Sequence, residues 1–308
     1  MQKLAVVVPA YNESSVLEAF HARLGTVLAG LPLECEVLYV DDGSSDNTWE
    51  LIKSLHTGGV HVSGLRLSRN FGKEAALTAG LDKADADAVV VIDADLQDPP
   101  ELIPELIEQW RAGYDVVYAT RSVREGETRF KRFTAAAFYR GMERLSNTPI
   151  PRDTGDFRLL SRRALDALRQ LRERQRFMKG LFAWIGYRQT AVLYQREPRQ
   201  AGTTKWNYWR LLQLAIEGVT SFSTAPLRLA TWVGLFSSLL SFVYGLWVLT
   251  KSIIYGDPVR GYPTLMLVIL FLGGVQLLAL GVIGEYLGRN YAESKQRPLY
   301  FIDEDFRA

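Results

Sequence analysis

Short apolar runs alternate with segments of helical periodicity over the first two hundred residues of the chain. Five runs have the length and apolar character of buried strands: Leu4–Val8, Val37–Val40, Val60–Leu67, Ala88–Ile92 and Asp115–Ala119. The segments between them repeat apolar residues at helical spacing, as in Ser14–Ala29, Asp46–Leu55 and Lys73–Lys83. This alternation predicts an α/β fold with a mostly parallel sheet flanked by helices.

Two longer apolar runs, Leu229–Leu249 and Pro263–Ile283, follow near the C-terminus. Each has about the 20 residues that a helix needs to cross a bilayer, and Trp232 and Trp247 lie near the ends of the first run. The short connection predicts a transmembrane hairpin, and two helices buried in a soluble core are the alternative. Basic residues favour a cytoplasmic location for the rest of the chain. They are Arg228, Arg289, Lys295 and Arg297 at the outer ends, against Lys251 and Arg260 in the loop.

Composition narrows the class of protein further. The 308 residues are 48% hydrophobic, which is ample for a core, and Lys+Arg 36 against Asp+Glu 34 gives a net charge of +2. Because this balance creates no global positive field, no nucleic acid is expected as a partner. The single Cys35 excludes an internal disulfide, and the N-terminal apolar run is too short for a signal peptide.

Polar segments follow three of the predicted strands. They are Pro9-Ala-Tyr-Asn-Glu13, Asp41-Asp-Gly-Ser-Ser-Asp46 and Asp93-Ala-Asp95. Parallel strands place their carboxyl ends at one edge of a sheet, where ligands bind in open α/β folds, so we expect the three segments to lie together. Neither a G-x-G-x-x-G nor a G-x-x-x-x-G-K-[ST] pattern follows a strand, which weakens a dinucleotide or P-loop interpretation.

Asp93 and Asp95 have the spacing of a site for a divalent metal. Alternate residues of an extended segment point the same way, so both carboxylates can reach one hard cation, Mg²⁺ or Mn²⁺, and Gln97 can add an oxygen ligand. The alternative is a solvated acidic turn that caps the helix expected to begin near Pro99-Pro100-Glu101.

The first two strand ends carry groups suited to a nucleoside. Asp41 or Asp42 could accept hydrogen bonds from a ribose or base, and Tyr11 could stack on the base; turn formation and helix capping are the structural alternatives. For Asp46, which precedes a predicted helix, we expect the capping role.

Together these segments resemble the family 2 inverting glycosyltransferases of GT-A fold, particularly the polyprenyl-phosphate sugar synthases such as dolichyl-phosphate mannose synthases and bactoprenol glucosyltransferases. The resemblance covers nearly the whole chain, including the apolar hairpin. The segments that carry it are Pro9-Ala-Tyr-Asn-Glu13, Val40-Asp-Asp-Gly-Ser-Ser-Asp46, Leu67-Ser-Arg-Asn-Phe-Gly-Lys73, Asp93-Ala-Asp-Leu-Gln-Asp-Pro-Pro-Glu101 and Thr154-Gly-Asp-Phe-Arg158. The Q-x-x-R-W signature of the processive synthases does not occur, which favours transfer of a single sugar.

The resemblance also implies roles for individual residues. Asp156 would be the catalytic carboxylate, either as a base or as a group that orients the acceptor. Asp93, Asp95 and Gln97 would meet the metal and the diphosphate. The nucleotide sugar would be bound by Pro9, Tyr11, Glu13, Asp41, Asp42, Asp93 and Arg121. The acceptor and the phosphates would be bound by Lys131, Arg132, Arg196 and Lys205.

The implied reaction is a metal-dependent, inverting transfer of one sugar from a nucleotide sugar to undecaprenyl phosphate or another polyprenyl phosphate. UDP-glucose is the leading donor, and GDP-mannose, UDP-N-acetylglucosamine and UDP-aminoarabinose are alternatives. Two interpretations from other classes are a membrane-anchored nucleotide-sugar binding protein without turnover and a glycosidase that uses two carboxylates.

Four segments are expected along the chain. Residues 1–204 would form a cytoplasmic catalytic domain, 205–228 an amphipathic interfacial helix and linker, 229–287 two transmembrane helices, and 288–308 a cytoplasmic C-terminal tail. A second candidate membrane surface is Arg129–Leu145, which is rich in basic and aromatic residues. The protein would then lie in the bacterial inner membrane, and Gly273-Gly274 offers a contact for self-association.

Overall fold

Strands and helices alternate through the first half of the chain. The computed structural model describes residues 2–55, 60–121, 154–174, 176–194, 225–255 and 261–307. The first elements are β1 (Lys3–Ala10), α1 (Leu17–Ala29), β2 (Glu34–Asp41), α2 (Thr48–Ser54), β3 (His61–Leu67), α3 (Lys73–Lys83), β4 (Ala88–Val91), a 3₁₀ turn (Pro100–Leu102), α4 (Ile103–Arg111) and β5 (Val116–Arg121). They are followed by β6 (Thr154–Ser161), α5 (Arg162–Gln170), α6 (Met178–Trp184), β7 (Gln189–Tyr194), α7 (Ala225–Tyr255), α8 (Tyr262–Ser294) and β8 (Ile302–Arg307).

The strands form one sheet in the order β7-β5-β6-β4-β1-β2-β3-β8. Strands β3, β2, β1 and β4 run parallel to one another, and β5 is parallel to β7. Strand β6 lies antiparallel between β4 and β5, and β8 is antiparallel to β3. The α/β fold with a mostly parallel sheet is therefore confirmed.

The core lies on both faces of the central strands. In β1 every residue from Leu4 to Ala10 is buried, which is typical of a parallel strand covered by helices on both sides. Helix α1 packs Phe20 and Leu24 into this core, and α4 packs Leu106. Because the strands are buried along their length, the polar segments at their carboxyl ends are held at one sheet edge.

The C-terminal segment is part of the sheet. In β8, Phe306 packs edge-on against Trp49 with ring centroids 5.5 Å apart. The Glu304 carboxylate accepts a hydrogen bond from Arg66 at 3.1 Å, and Asp305 pairs with Lys83. Five residues of the segment expected to be a tail therefore pair with β3. This pairing cannot be predicted from a short charged sequence without its partner strand.

Helices α7 and α8 form a second compact unit, separate from the unit that contains the sheet. Their apolar windows, Leu229–Trp247 and Phe271–Ser294, have mean hydropathies of 1.6 and 1.5, and both helices are long and apolar enough to cross a membrane. Large apolar side chains such as Phe242 and Leu277 are about 70% exposed, as is suited to a membrane environment. The helices begin before residue 229 and end after residue 287, and only residues 225–228 of the expected interfacial segment are described.

Candidate functional site

The loop after β1 is tied to the loop after β2. Asn12, which has a left-handed backbone (φ 55°), donates its amide to Ser44 Oγ at 2.9 Å, and its side-chain oxygen accepts from the Ser45 amide at 2.9 Å. The Glu13 amide donates to Thr48 Oγ1 at 3.0 Å. Tyr11 is 44% exposed at this edge. The first two predicted strand-end segments therefore do come together, and an aromatic ring is accessible beside them.

Asp41 and Asp42 are buried and have partners inside the protein. Asp41 accepts from the Ser44 amide at 3.2 Å and lies 3.6 Å from Arg66 Nε. Asp42 accepts from the amides of Phe71 and Gly72 at 2.8 and 2.9 Å. Burial raises the pKa of both carboxyls against the lowering effect of these hydrogen bonds. Asp42 therefore fixes the loop between β3 and α3.

A glycine is required between these two loops. Gly43 has φ +66°, and a Cβ there would lie 2.5 Å from the carbonyl carbon of Arg69. The loop after β3 thus packs directly on the backbone after β2. Nearby, Asp46 lies one residue before the N-cap position Asn47 and accepts from the Thr48 amide at 3.0 Å, so it satisfies the first amide of α2 from outside the N-cap.

The segment after β4 presents oxygen atoms suited to a divalent cation. Asp93 Oδ1 is buried and has no hydrogen-bond partner among the described residues, while Asp95 Oδ1 accepts from the Gln97 amide at 3.1 Å. Between Asp95 and Gln97, Leu96 is buried with φ 59°, a costly conformation for leucine. A strained residue held between two candidate ligands is typical of a functional turn.

Two carboxylates are fewer than a protein-only metal cage requires, and in the described part of the chain no group of three or more His, Cys, Asp or Glu residues could hold a metal. Mg²⁺, however, is usually held by one or two carboxylates together with the phosphates of a substrate. Asp93, Asp95 and Gln97 fit that kind of site, because no hydrogen-bond donor among the described residues occupies Asp93 Oδ1.

The sheet register brings Asp156 opposite Asp93. Strands β4 and β6 pair antiparallel with Val91 opposite Arg158, and the same register continued by two residues sets Asp93 against Asp156. Lys73 Nζ, at the first residue of α3, donates to Asp93 Oδ2 at 2.7 Å and to Asp156 Oδ2 at 2.5 Å. One ammonium therefore joins the predicted metal-binding carboxylate to the predicted catalytic one.

Charge at this junction is balanced by lysines. Burial acts to raise the pKa of Asp156, but Lys73 and Lys179 overcome it and hold that pKa at about 2. Burial lowers the pKa of Lys73, yet Asp93 and Asp156 together raise it above its usual value. For Asp93, burial dominates the effect of Lys73 and raises the pKa. Asp156 is therefore a fully ionised and weakly basic carboxylate at neutral pH.

Three more charged residues surround Asp156. The buried Arg158 guanidinium donates to the Gly155 carbonyl at 2.7 Å and stacks 3.9 Å from the Phe182 ring. Glu74, next to Lys73, accepts from the Met178 amide, and burial and Asp156 raise its pKa to about 7. Lys179 interacts electrostatically with Asp156 and Glu74, and burial lowers its pKa.

Sequence reasoning gave no role to Lys73, Glu74 or Lys179. The sequence does mark Lys73 as unusual, because a cation at the first position of a helix is disfavoured by the helix dipole and indicates a nearby negative partner. Nothing in the sequence marks Lys179, since its position along the chain shows no relation to the strand ends.

The structure brings together most of the predicted site residues that it describes. Pro9 is the last but one residue of β1, within its buried run. Tyr11, Glu13, Asp41, Asp42, Asp93, Asp95, Gln97 and Asp156 lie at or beside the carboxyl ends of β1, β2 and β4. Arg121 is the last residue of β5, at the same end, and its side chain is not described. Lys131, Arg132, Arg196 and Lys205 lie outside the described residues, as does Arg129–Leu145.

Two sequence families match the chain. Glycosyl transferase family 2 matches residues 5–169, and the GtrB C-terminal hairpin matches residues 225–289. An uncharacterized glycosyltransferase of Synechocystis is 54% identical over 98% of this chain and 95% of its own length. The bactoprenol glucosyl transferase of Shigella phage SfV is 48% identical over 98% of this chain and 99% of its own.

A solved structure of glucosyl-3-phosphoglycerate synthase from Mycobacterium tuberculosis, in complex with Mn²⁺, UDP and phosphoglyceric acid, is similar to 71% of this chain. The similarity covers 76% of that chain with 20% sequence identity and a TM-score of 0.46.

Proposed function

We propose that this chain, which belongs to glycosyl transferase family 2, transfers a single sugar from a nucleotide sugar to polyprenyl phosphate at a membrane. That it is a glycosyltransferase follows from the family match and from relatives of nearly equal length. The observation that carries the proposed reaction is the Asp93–Lys73–Asp156 junction, in which Lys73 at the start of α3 donates to both carboxylates beside the carboxyl end of β4.

A lipid acceptor is supported by the names of the relatives and by the hairpin. Proteins named bactoprenol glucosyl transferase are 48% identical to this chain over almost its whole length. The hairpin family covers α7 and α8, whose apolar side chains are exposed. A chain with two such helices can hold its catalytic unit where a prenyl lipid resides.

The weak basicity of Asp156 also favours a phosphate acceptor. A general base works best when its pKa lies near the working pH, and the pKa of Asp156 is about 2. A sugar hydroxyl would need a stronger base. A phosphate monoester, whose second pKa is about 6, is already mostly ionised at neutral pH. We therefore assign Asp156 an electrostatic and orienting role, with no proton to remove.

Asp93, Asp95 and Gln97 would hold Mg²⁺ or Mn²⁺ through Asp93 Oδ1, the Asp95 carboxylate and the Gln97 amide oxygen. Such a cation supplies charge neutralisation for the leaving nucleoside diphosphate. Lys73 keeps Asp93 in place on its other oxygen. In the transfer itself, an acceptor phosphate oxygen forms a bond to the anomeric carbon as the bond to the diphosphate oxygen breaks, so a single displacement inverts the configuration.

The nucleoside would lie against the loops after β1 and β2. Tyr11 offers an exposed ring for the base, and the backbone from Pro9 to Glu13 is fixed by Ser44, Ser45 and Thr48. Asp41 and Asp42 support this wall, and Arg121, the last residue of β5, would bind phosphate. UDP-glucose is the donor we propose, because the names of the relatives specify glucosyl transfer.

In the location we propose, α7 and α8 cross the bacterial inner membrane twice. The catalytic unit and the C-terminus would lie in the cytoplasm, since basic residues are more numerous at the outer ends of the hairpin than in its loop.

The experiment uses the full-length protein in detergent with undecaprenyl phosphate, Mg²⁺ or Mn²⁺, and a panel of labelled nucleotide sugars. We expect glucose transfer from UDP-glucose, loss of transfer in EDTA, and a product anomer opposite to that of the donor. Asp95→Asn should lower turnover by about 100-fold or more, since a metal supplies several kcal/mol to such a transition state. Lys3→Met, at the opposite end of β1, is the matched control and should keep the native rate. Native turnover in Asp95→Asn, or release of free sugar without lipid, would refute the proposal.

A further inference from the structure

Lys179 is a charged residue of the site that the proposed reaction does not yet use. It is the second residue of α6, between the buried Met178 and Gly180. The Met178 amide donates to Glu74, the neighbour of Lys73, so the start of α6 is anchored beside the Asp93–Lys73–Asp156 junction.

The geometry of α6 turns Lys179 towards β6. Residues three apart lie on the same face of a helix, so Lys179 shares a face with Phe182. The Phe182 ring stacks 3.9 Å from the Arg158 guanidinium, and Arg158 is two residues from Asp156 on β6. Lys179 accordingly interacts electrostatically with Asp156 and Glu74.

The three cations around Asp156 differ in what they already bind. Lys73 donates to two carboxylates. Arg158 is 3% exposed and donates to the carbonyls of Gly155 and Asp156. Lys179 is half-buried, and within the described ranges no hydrogen bond or ion pair engages its ammonium. An ammonium held beside an ionised carboxylate without a hydrogen-bond partner is available to an anionic substrate group.

We propose that Lys179 binds the phosphate group of the acceptor lipid and thereby selects a phosphate over a hydroxyl acceptor. The inference rests on the proposed function. A phosphate monoester brought next to Asp156 would be repelled by that carboxylate, and Lys179 offsets the repulsion on the Asp156 side of the site. The donor diphosphate belongs to the Asp93 side, where Asp95 and Gln97 lie.

The test compares Lys179→Met, Lys179→Gln and Lys179→Arg with the control Lys3→Met in detergent. For the Met and Gln variants we expect the KM for undecaprenyl phosphate to rise about 10- to 100-fold, the equivalent of one hydrogen bond to a charged group. The KM for the nucleotide sugar should change less than 2-fold. Lys179→Arg should recover most of the acceptor affinity, because the charge and a donor are kept.

A binding measurement separates this inference from the proposed function. Farnesyl phosphate and farnesol are titrated into the full-length protein by calorimetry, and the native protein should prefer the phosphate. The preference should disappear in Lys179→Met and Lys179→Gln and return in Lys179→Arg. If the native protein binds farnesyl phosphate through Lys179 but transfers no sugar to any prenyl phosphate, the proposed function fails and the role of Lys179 stands.

Two results would overturn the inference itself. One is an unchanged KM for acceptor and an unchanged phosphate preference in a folded Lys179→Gln protein. The other is a rise in the KM for the nucleotide sugar, or in the Kd for UDP, with acceptor binding unaffected, because Lys179 would then belong to the donor side. Circular dichroism identifies a variant that fails to fold, and the remaining variants decide the outcome.

Discussion

Replacement of Lys73 by methionine removes the one ammonium that joins Asp93 to Asp156. Its two hydrogen bonds are 2.7 and 2.5 Å long. A hydrogen bond to a charged group contributes about 1.5–3 kcal/mol, whereas a solvated ion pair contributes about 0.2–1 kcal/mol. The Lys73 side chain is 43% exposed and its partners are 26% and 15% exposed, so an intermediate loss of about 1–2 kcal/mol is expected. As a loss of transition-state stabilisation this corresponds to a fall in kcat of roughly 5- to 30-fold.

The same variant should change the response to pH and to metal. Without Lys73 the pKa values of Asp156 and Asp93 rise, so the acidic limb of the pH–rate profile should move to higher pH. Removal of a positive charge beside Asp93 should also lower the Mn²⁺ concentration for half-maximal activity. A lower kcat together with a lower Mn²⁺ concentration for half-maximal activity distinguishes this role from simple misfolding.

The assay measures initial rates of labelled glucose transfer from pH 5 to 8 and over a Mn²⁺ titration. Lys73→Arg, which keeps the charge, should retain more activity than Lys73→Met, and Lys3→Met should match the native protein. A Lys73→Met protein with native kcat, native acidic limb and native Mn²⁺ dependence would show that the junction has no part in catalysis.

Two further predictions concern stability. Burial and Asp156 raise the pKa of Glu74 from 4.5 to about 7, so the folded protein binds this proton more tightly than the unfolded chain and loses stability as pH rises between those values. Glu74→Gln should therefore melt at a higher temperature than the native protein at pH 8 and at the same temperature near pH 4; an equal difference at both pH values would contradict this. On the other edge, a Cβ on Gly64 would overlap the Phe306 ring, so Gly64→Ala should cost about 1–3 kcal/mol in denaturant unfolding. Adding Phe306→Ala should recover part of that cost, and strictly additive losses in the double variant would show that the two residues do not interact.

The parallel half of the fold could be predicted because its signals are local. The apolar run Ala88–Ile92 predicted β4 to within one residue, and the predicted helix Lys73–Lys83 coincides with α3. A strand made only of apolar residues is stable when both faces of its sheet are covered by helices, so these runs predict an α/β fold from hydrophobicity alone. Once the parallel strands were predicted, the carboxylates that follow them could be predicted to lie at one edge of the sheet.

The antiparallel elements could not be predicted in the same way. Strand β6 contains Asp156 and Arg158 among its eight residues. Its place between β4 and β5 depends on pairing with β4 across more than 60 residues of chain and with β5 across more than 30. Only that register sets Asp156 against Asp93. Lys179 interacts electrostatically with Asp156, and its position follows from the stacking of Phe182 on Arg158, which no spacing in the sequence encodes.

Strand β8 has a consequence for the order in which the protein is made. Arg66 on β3 and Glu304 on β8 are 238 residues apart, and both long helices lie between them. A ribosome adds about 5–20 residues per second, so the β3 edge waits roughly 10–50 s for its partner after it has been synthesised. During that interval an unpaired sheet edge can pair with other chains. The last step in completing the catalytic unit therefore comes after synthesis of α7 and α8, and an incomplete chain that ends within α8 leaves the ribosome with the β3 edge unpaired.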